Sequence, residues 1–411
     1  MAIKTGQTIM LLISMFIFTL GFGIIVPVIP YFIRGMGATA LDMGLLMAAM
    51  SAMQLLFAPL WGKASDRFGR KPVMLIGLLG FGLSFVAVGM ATQLWMLYVT
   101  QIISGALSAG IFPACLAYIA DTTAPGERGK YMGLMGAASG AGMIFGPAIS
   151  SFFAGWGITI PFFAAAGIGL VTAVFILFFL PESRVKNLSR HALKSKVSVG
   201  MVMKGSLAIF FIVMLFSTFA IANLDATFTY LIMDRFGLSE TASNMPVLTG
   251  AISLSGPAVS GIMFTVMGIL MMICQGLLVG KLIDKFGEGM VIFGGLLLVA
   301  AGMLVILAAP ELISLIVAVC LIAGGASAIF PCMNTLVSKK TDSENQGVML
   351  GLLGSFQSMG RVCGPVVGGA AYVVSAALTC LASAVLAVLC AIVIYVKRGS
   401  ASAETVESHA A

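Results

Sequence analysis

Long apolar runs, separated by short polar or glycine-bearing connections, form the main pattern of this chain. A helix rises about 1.5 Å per residue, so about 20 apolar residues are needed to cross about 30 Å of hydrocarbon. That length predicts twelve membrane-spanning helices, at residues 8–33, 42–61, 72–91, 94–119, 131–156, 159–180, 205–231, 260–280, 289–309, 311–336, 347–373 and 374–396. The start of the eighth span is the least sharply defined, because 241–259 is only mildly apolar and contains Pro246 and Pro257.

The composition agrees with a polytopic α-helical membrane protein. Hydrophobic residues make up 60% of the 411 residues, charged residues 9%, and the mean hydropathy is +1.11. Soluble proteins contain about 25% charged residues, so a soluble enzyme, a disordered scaffold and a nucleic-acid-binding domain are excluded. The seven cysteines lie in apolar stretches without metal-ligand spacing, and both histidines lie in polar segments. We therefore predict no metal site, no cofactor and no enzymatic activity.

Lysines and arginines are distributed unevenly between the two sides of the predicted membrane. Nineteen of the 22 lie on the side of both termini, whereas Arg34 and Arg235 lie on the other side and Arg361 lies within a span. Because cytoplasmic connections carry the excess of basic residues, both termini are predicted to be cytoplasmic. The formal net charge of +7 then matches anionic membrane lipid at the inner surface, with no role for nucleic acid.

The chain also contains an internal repeat. At an offset of 218 residues, GKASDRFG from Gly62 aligns with GKLIDKFG from Gly280. Ahead of the second span the register changes, and Tyr31 aligns with Tyr230 at an offset of 199. The repeat predicts two parallel six-helix halves. The predicted domains are an N-terminal half at 1–180, a basic cytoplasmic linker at 181–204, a C-terminal half at 205–396 and a cytoplasmic tail at 397–411.

A duplicated helical bundle is typical of a transporter with a substrate path between its halves. A channel is disfavoured, because no segment resembles a carbonyl-lined filter or a ring of acidic residues. A membrane-embedded enzyme is disfavoured further, because the spans contain no metal-ligand cluster and no Ser/His/Asp arrangement.

The connection GKASDRFGRKP, from Gly62 to Pro72, closely resembles the G-x-x-x-D-R-x-G-R-[RK] signature of the major facilitator superfamily. The resemblance implies that family's twelve-helix fold and a latch on the cytoplasmic side. In it, Asp66 faces the start of helix 11 and Arg70 pairs with Asp121 at the end of helix 4. The implied gating residues are Gly62, Asp66, Arg67, Gly69, Arg70, Asp121 and Arg128.

Two further segments resemble the twelve-helix drug–proton antiporters of that superfamily, closest to bacterial multidrug and tetracycline exporters. LGFGIIVPVIP in span one is similar to their proline-bearing motif, and GAASGAGMIFGP in span five is similar to their antiporter motif. Its small residues are predicted to permit tight helix packing, and its proline to kink the helix. The small residues are Gly136, Gly140, Ala141, Gly142 and Gly146, and the proline is Pro147. One position departs from the family, because Gln101 stands where an arginine is usual, and coupling through helix 4 stays open.

Ionisable groups within the spans are costly and are therefore functional candidates. Asp225 lies about 20 residues into span seven and Arg361 about 14 residues into span eleven, so their depths differ by roughly 9 Å. Asp225 also matches an acid of related multidrug exporters. We predict that Asp225 binds a proton and a cationic substrate alternately. Arg361 either holds Asp225 ionised or binds an anionic substrate; a purely structural ion pair is the alternative.

The substrate cavity is predicted by analogy with the family, in which helices 1, 4, 7 and 10 line it. The nominated lining residues are Phe22, Gln101, Asn223, Asp225, Phe228, Tyr230, Phe330, Asn334, Phe356 and Gln357.

The sequence thus predicts a proton-coupled secondary transporter of the bacterial inner membrane, which exports lipophilic, cationic drugs by alternating access. Its expected partners are a small-molecule substrate, protons and membrane lipid, and it is expected to act as a monomer. Two alternatives stay open. One is an exporter or flippase for an anionic or lipid-linked molecule that uses Arg361, and the other is a membrane receptor that transports nothing.

Overall fold

The structure is a computed structural model that describes residues 5–123, 127–183, 207–240, 242–247, 250–308, 311–341 and 346–410. Most of the predicted linker lies outside these residues. The first eight helices are α1 Thr5–Ile25, α2 Ile29–Arg34, α3 Ala40–Phe68, α4 Arg70–Gly89, α5 Leu94–Ser108, α6 Ile111–Thr122, α7 Arg128–Ala154 and α8 Ile160–Phe179. The later elements are α9 Ala208–Phe236, β1 Ala242–Val247, β2 Gly250–Ser255, α10 Gly256–Ile273, α11 Val279–Ala308, α12 Leu312–Lys339, α13 Gln346–Val374 and α14 Ala376–Ala410.

The helices account for the twelve predicted spans. In hydrocarbon, a backbone must satisfy its hydrogen bonds internally, and a helix does so within one segment. Ten helical stretches of the described chain are long and apolar enough to cross a membrane. One of them, Gly256–Ala308, has 53 residues and a break at Gly287, so it supplies the eighth and ninth spans. The eleventh span is α13, whose glutamine, serine and arginine residues lower its hydropathy.

Two glycines break long helices at equivalent places in the repeat. Gly69 separates α3 from α4 with φ of 114°, and Gly287 interrupts α11 with φ of 76°. The two residues are 218 positions apart, so the backbone shows the same repeat as the sequence. Because a side chain disfavours this left-handed region, both breaks depend on glycine. A π-helical turn at Cys274–Leu278 joins α10 to α11.

One element was absent from the prediction. Strands β1 and β2 pair in a two-stranded sheet ahead of α10, in the mildly apolar stretch before the eighth span. The eighth span begins at Gly256, four residues earlier than its predicted start at 260. The all-α prediction therefore misses a short hairpin in an otherwise helical chain.

Contacts divide the chain into two compact units, which differ in part from the predicted halves. The first contains Met1–His191 with Thr229–Asn244 and Ser253–Thr265, and the second contains Ala192–Phe228, Met245–Ile252 and Val266–Ala411. Helix α9 contributes to both units. The division of the chain into the four predicted domains stays a prediction.

The first unit packs around a cluster of phenylalanines from α1 and α4. The ring of Phe81 lies 4.4 Å from that of Phe85 and 5.4 Å from that of Phe18, measured between centroids. Phe22 lies 6.0 Å from Phe81 on the same cluster. The Phe81–Phe85 pair is edge-on, and a pair of this kind contributes about 0.5–1.5 kcal/mol beyond its buried area. This cluster fixes α1 against α4.

In the second unit, α11 and α12 approach closely at glycines. A Cβ atom on Gly295 would lie 2.8 Å from the carbonyl oxygen of Gly325, so the two backbones are in direct contact. Small residues permit such contact. Because lipid tails are as apolar as the side chains, close packing takes the place of the hydrophobic effect in driving helix association in a membrane. Elsewhere in the unit, Phe211 of α9 meets Phe356 of α13 edge-on at 5.4 Å between centroids.

Candidate functional site

The connection between α3 and α4 carries a network of charges centred on Arg70. The Arg70 Nε donates to Asp121 Oδ2 at 2.8 Å, and a second guanidinium nitrogen donates to Asp66 Oδ1 at 2.6 Å. The Arg70 side chain is 6% exposed, whereas that of Asp66 is 61% exposed. The pairing of Arg70 with Asp121 that the family resemblance implies is therefore present. Its role in gating stays a prediction.

The other predicted gating residues surround this network. Gly62 lies within α3, and Gly69 supplies the left-handed break described above. Arg67 is exposed, with its guanidinium 5.3 Å above the ring of Phe68. Arg128 is the first residue of α7, and its side chain lies outside the described residues.

Glu182, two residues beyond the predicted N-terminal half, also binds this connection, and no sequence motif predicts this contact. Its carboxylate accepts the backbone N–H of Arg70 at 2.8 Å and that of Lys71 at 3.1 Å. These N–H groups lie at the start of α4 and have no hydrogen-bond acceptor within that helix. A carboxylate there accepts their hydrogen bonds and also interacts favourably with the positive end of the helix dipole. The Lys71 ammonium donates to the Leu177 carbonyl at 2.7 Å in α8. Glu182 thus positions Arg70 through its backbone.

The second unit holds the two charges that sequence analysis placed within the spans. Asp225 of α9 is partly buried, and Arg361 of α13 is exposed. Their charges interact, yet among the described residues they form no direct ion pair and Asp225 accepts no hydrogen bond. Burial in a medium of low dielectric disfavours a charged carboxylate that lacks such partners. The uptake of a proton or a cation by Asp225 stays a prediction.

The nominated cavity residues have different surroundings. Asn223 is 2% exposed and donates to Ser383 Oγ at 2.8 Å, which turns it toward α14. Tyr230 is 3% exposed and donates to the Thr39 carbonyl at 3.2 Å. Phe22 and Phe356 pack against other aromatic rings, and Gln101 and Phe228 are buried. Phe330 and Gln357 are half-buried, and Asn334 is exposed. Their assignment to a cavity stays a prediction.

The glycines of the antiporter motif fall into two groups. A Cβ atom on Gly146 would lie 2.6 Å from the Leu20 carbonyl oxygen and from the Gly23 Cα, and Gly142 faces Phe16, Thr19 and Leu20 in the same way. Gly136 and Gly140 have no atom of the described chain within 4 Å of such a Cβ. Among the described residues, tight packing is therefore present at Gly142 and Gly146 and absent at Gly136 and Gly140, and the role of the motif stays a prediction. Six residues turn a helix by about 600°, which puts the two groups on different faces.

Pro147 lies inside α7, and its ring contacts Gly23 of α1. A proline in a helix interior removes one backbone hydrogen bond, so α7 is weakened at the point where it contacts α1.

A set of contacts on the side predicted to face outward joins α2 and the residue before α3 to the ends of α9 and α10 within the first unit. Tyr31 Oη lies 3.1 Å from Ser260 Oγ, and both residues are buried. The Arg34 guanidinium lies 2.7 Å from the Asp234 carboxylate, in a pair that is about half exposed. Tyr31 and Tyr230, the residues that align at an offset of 199, both take part in contacts here. We call these three contacts (Tyr31–Ser260, Arg34–Asp234 and Tyr230–Thr39) the outer contacts.

Comparison with known proteins places these features in context. The model of the Major Facilitator Superfamily matches the chain twice, at residues 11–261 and 253–410. The chain is 32% identical to multidrug resistance protein 2 of Bacillus subtilis over 88% of its own length and 87% of that protein. It is 31% identical to the class B tetracycline resistance protein of Escherichia coli over 86% of its length and 85% of that protein.

Solved structures share the fold at lower sequence identity. The human organic anion transporter MFSD10 (TETRAN) superposes with a TM-score of 0.68 at 23% identity, covering 95% of this chain and 99% of that chain. The nucleoside transporter NupG superposes with a TM-score of 0.77 at 12% identity, covering 95% of this chain and 98% of that chain.

Proposed function

The chain belongs to the major facilitator superfamily, and we propose that it is a proton-coupled secondary transporter that exports lipophilic, cationic drugs by alternating access. The names of its relatives, which are multidrug and tetracycline resistance proteins, support export of drugs. The excess of lysines and arginines on one side of the predicted membrane supports a bacterial inner-membrane protein with both termini in the cytoplasm. We further propose that it acts as a monomer and binds no nucleic acid.

The observation that carries the proposal is the state of Asp225. This carboxyl lies in a predicted span, keeps accessible surface and has Arg361 as its charged neighbour without a direct ion pair. An acid in hydrocarbon is costly when charged and accepts a proton or a cation to remove that cost. Protons and a cationic drug then compete for one site, which is the requirement for exchange. The sequence contains no ATP-binding motif, so energy comes from a gradient, which we propose is that of protons.

The experiment is uphill efflux of a cationic dye from proteoliposomes under an imposed proton gradient, with wild type and Asp225→Asn compared. We expect the wild type to extrude the dye and Asp225→Asn to lose coupled efflux while inserting normally, because an amide neither binds a proton in this range nor carries the charge. Glu240→Gln is the matched control, since it makes the same chemical change on an exposed residue. Uphill efflux by Asp225→Asn at the wild-type rate would contradict the assignment.

One second function has an observation in its favour. Arg361 keeps accessible surface and has no direct ion pair among the described residues, so it is available to an anion. An exporter or flippase for an anionic or lipid-linked molecule would use it. In that case wild type moves no cationic dye, an anionic substrate binds, and Arg361→Ala abolishes the binding. A receptor that transports nothing would show no flux of either kind.

A further inference from the structure

An ion pair in the second unit joins the same two repeat positions as Arg70 and Asp121, but with the charges exchanged. The offset of 218 places Glu288 at the position of Arg70 and Lys339 at the position of Asp121. Arg70 Nε lies 2.8 Å from Asp121 Oδ2, and Lys339 Nζ lies 2.5 Å from Glu288 Oε1. The contact is therefore common to both units, while the sign of each partner is reversed.

The surroundings of the two pairs match as well. Each pair begins at the residue that follows a positive-φ glycine, Gly69 or Gly287. Just before that glycine, a basic group lies 5.3 Å from the centre of the adjacent phenylalanine ring in both units, at Arg67 and at Lys285. Lys339 is the last residue of α12, as Asp121 is the residue before the last of α6. The backbone, the ring contact and the position of the partner are thus all repeated.

Burial shows which member of each pair depends on the other. In the first unit the arginine on the connection is shielded, with its side chain 6% exposed. In the second unit the residue on the connection is Glu288, which is 14% exposed, whereas Lys339 is 65% exposed. A shielded charge that loses its partner stays unpaired away from bulk water, which is far more costly than the loss of an exposed pair. Glu288 is therefore the member of the pair for which the loss of the partner costs more.

We propose that Glu288 and Lys339 form a latch of their own in the second unit, which we call the inverted latch. It fastens the connection at Gly287 to the end of α12, so that these two ends move together when the protein changes state. Both are positioning residues, because neither contacts Asp225 or Arg361. The proposal rests on the proposed transport cycle, and it assigns to the second half the task that the resemblance implies for Arg70 and Asp121 in the first.

The exchange of charges supplies a direct test. An ion pair needs opposite signs but no particular order, so Glu288→Lys and Lys339→Glu alone place like charges together, whereas the double variant restores attraction. Lys281→Glu is the matched control, since it makes the same charge change on the same connection, where Lys281 has no ion pair among the described residues. All four variants are compared with wild type in proteoliposomes.

We expect each single variant to lower the maximal rate of dye efflux about fivefold without changing the apparent KM, because the latch acts on movement and not on substrate binding. The double variant and Lys281→Glu should keep the wild-type rate. A double variant as slow as the singles would overturn the proposal. So would single variants that lower the melting temperature but leave the rate per folded molecule unchanged, since that result indicates a structural role alone.

A readout that needs no substrate separates this proposal from the proposed function. Lys285→Cys, in a background without the native cysteines, reports exposure of the connection through its rate of labelling by a membrane-impermeant maleimide. We expect faster labelling when Glu288→Lys is added and the original rate when Lys339→Glu is added as well. This holds even if the wild type moves no cationic dye. Equal labelling in all three would overturn the inverted latch.

Discussion

At the scale of residues, two kinds of contact hold the connection between α3 and α4. One is made by side-chain ion pairs, and the other by a carboxylate bound to the backbone at the start of α4. Arg70 binds two carboxylates through its guanidinium, and its backbone N–H binds the carboxylate of Glu182. Charge-assisted hydrogen bonds of this kind are about twice as strong as neutral ones. Glu182 acts at the N-terminus of α4 in the manner of a capping residue, although it lies 112 residues farther along the chain than Arg70.

Replacing Glu182 by glutamine should therefore weaken the start of α4. The amide keeps one acceptor oxygen but loses the negative charge that favours the helix N-terminus, so we expect the free energy of unfolding to fall by about 1 kcal/mol. Thermal unfolding in detergent measures this loss. Glu240→Gln, on an exposed residue that follows the end of α9, is the control and should unfold like wild type. Equal stability of Glu182→Gln and wild type would show that its contacts carry no net energy.

At the scale of elements, α1 and α7 are held at a distance that only glycine allows. Gly142 and Gly146 of α7 rest on the backbone of α1, and Gly23 of α1 rests on Gly146 and Pro147 in return. The glycine ladder therefore serves one face of α7. On the other face, Gly136 and Gly140 leave open space in the described chain.

This asymmetry predicts opposite results for one substitution at two positions. Gly146→Ala should push α1 and α7 apart and destabilise the protein by about 1–3 kcal/mol, because the added Cβ meets main-chain atoms that cannot move aside. Gly140→Ala adds the same atom on the open face and should leave stability unchanged or slightly raised, since alanine favours helix. Thermal unfolding of the two variants beside wild type measures the difference. Similar losses at both positions would contradict the packing described here.

At the scale of the whole molecule, the outer contacts join helices that are far apart in the sequence. Arg34 pairs with Asp234 and Tyr31 with Ser260, across 200 and 229 residues of chain. If transport proceeds by alternating access, as proposed, these contacts must open once in each cycle. The exposed ion pair contributes little energy, about 0–1 kcal/mol, which suits a contact that breaks repeatedly.

A covalent link in place of that ion pair should stop transport. We expect the double variant Arg34→Cys and Asp234→Cys, in a background without the native cysteines, to lose dye efflux when joined by a short bismaleimide. Each single cysteine variant treated with the same reagent should keep its activity. Efflux measured in proteoliposomes, with the linked fraction quantified by mass spectrometry, tests this. Full efflux by linked protein would mean that the outer contacts stay closed throughout the cycle.

Much of the architecture follows from the order of residues alone. Apolar runs of about 20 residues predict the spans, because hydrocarbon tolerates only a backbone that satisfies itself. The repeat at 218 residues predicts duplicated local geometry, and Gly69 and Gly287 carry it into the backbone. The signature resemblance likewise anticipates the pair of Arg70 and Asp121. The spans and the repeat depend on local composition and on spacing, which a sequence displays directly, whereas the pair of Arg70 and Asp121 is implied by the resemblance to a known family.

The tertiary structure decided which groups meet. It placed Glu182 at the start of α4, joined Tyr31 to Ser260, and left Asp225 beside Arg361 without a direct ion pair. It also chose which glycines of α7 are packed and formed a hairpin ahead of α10. These outcomes depend on how helices rotate and where their ends meet across long stretches of chain. Small differences in the rotation of a helix about its axis decide which residues come into contact, and this rotation cannot be read from hydropathy or spacing.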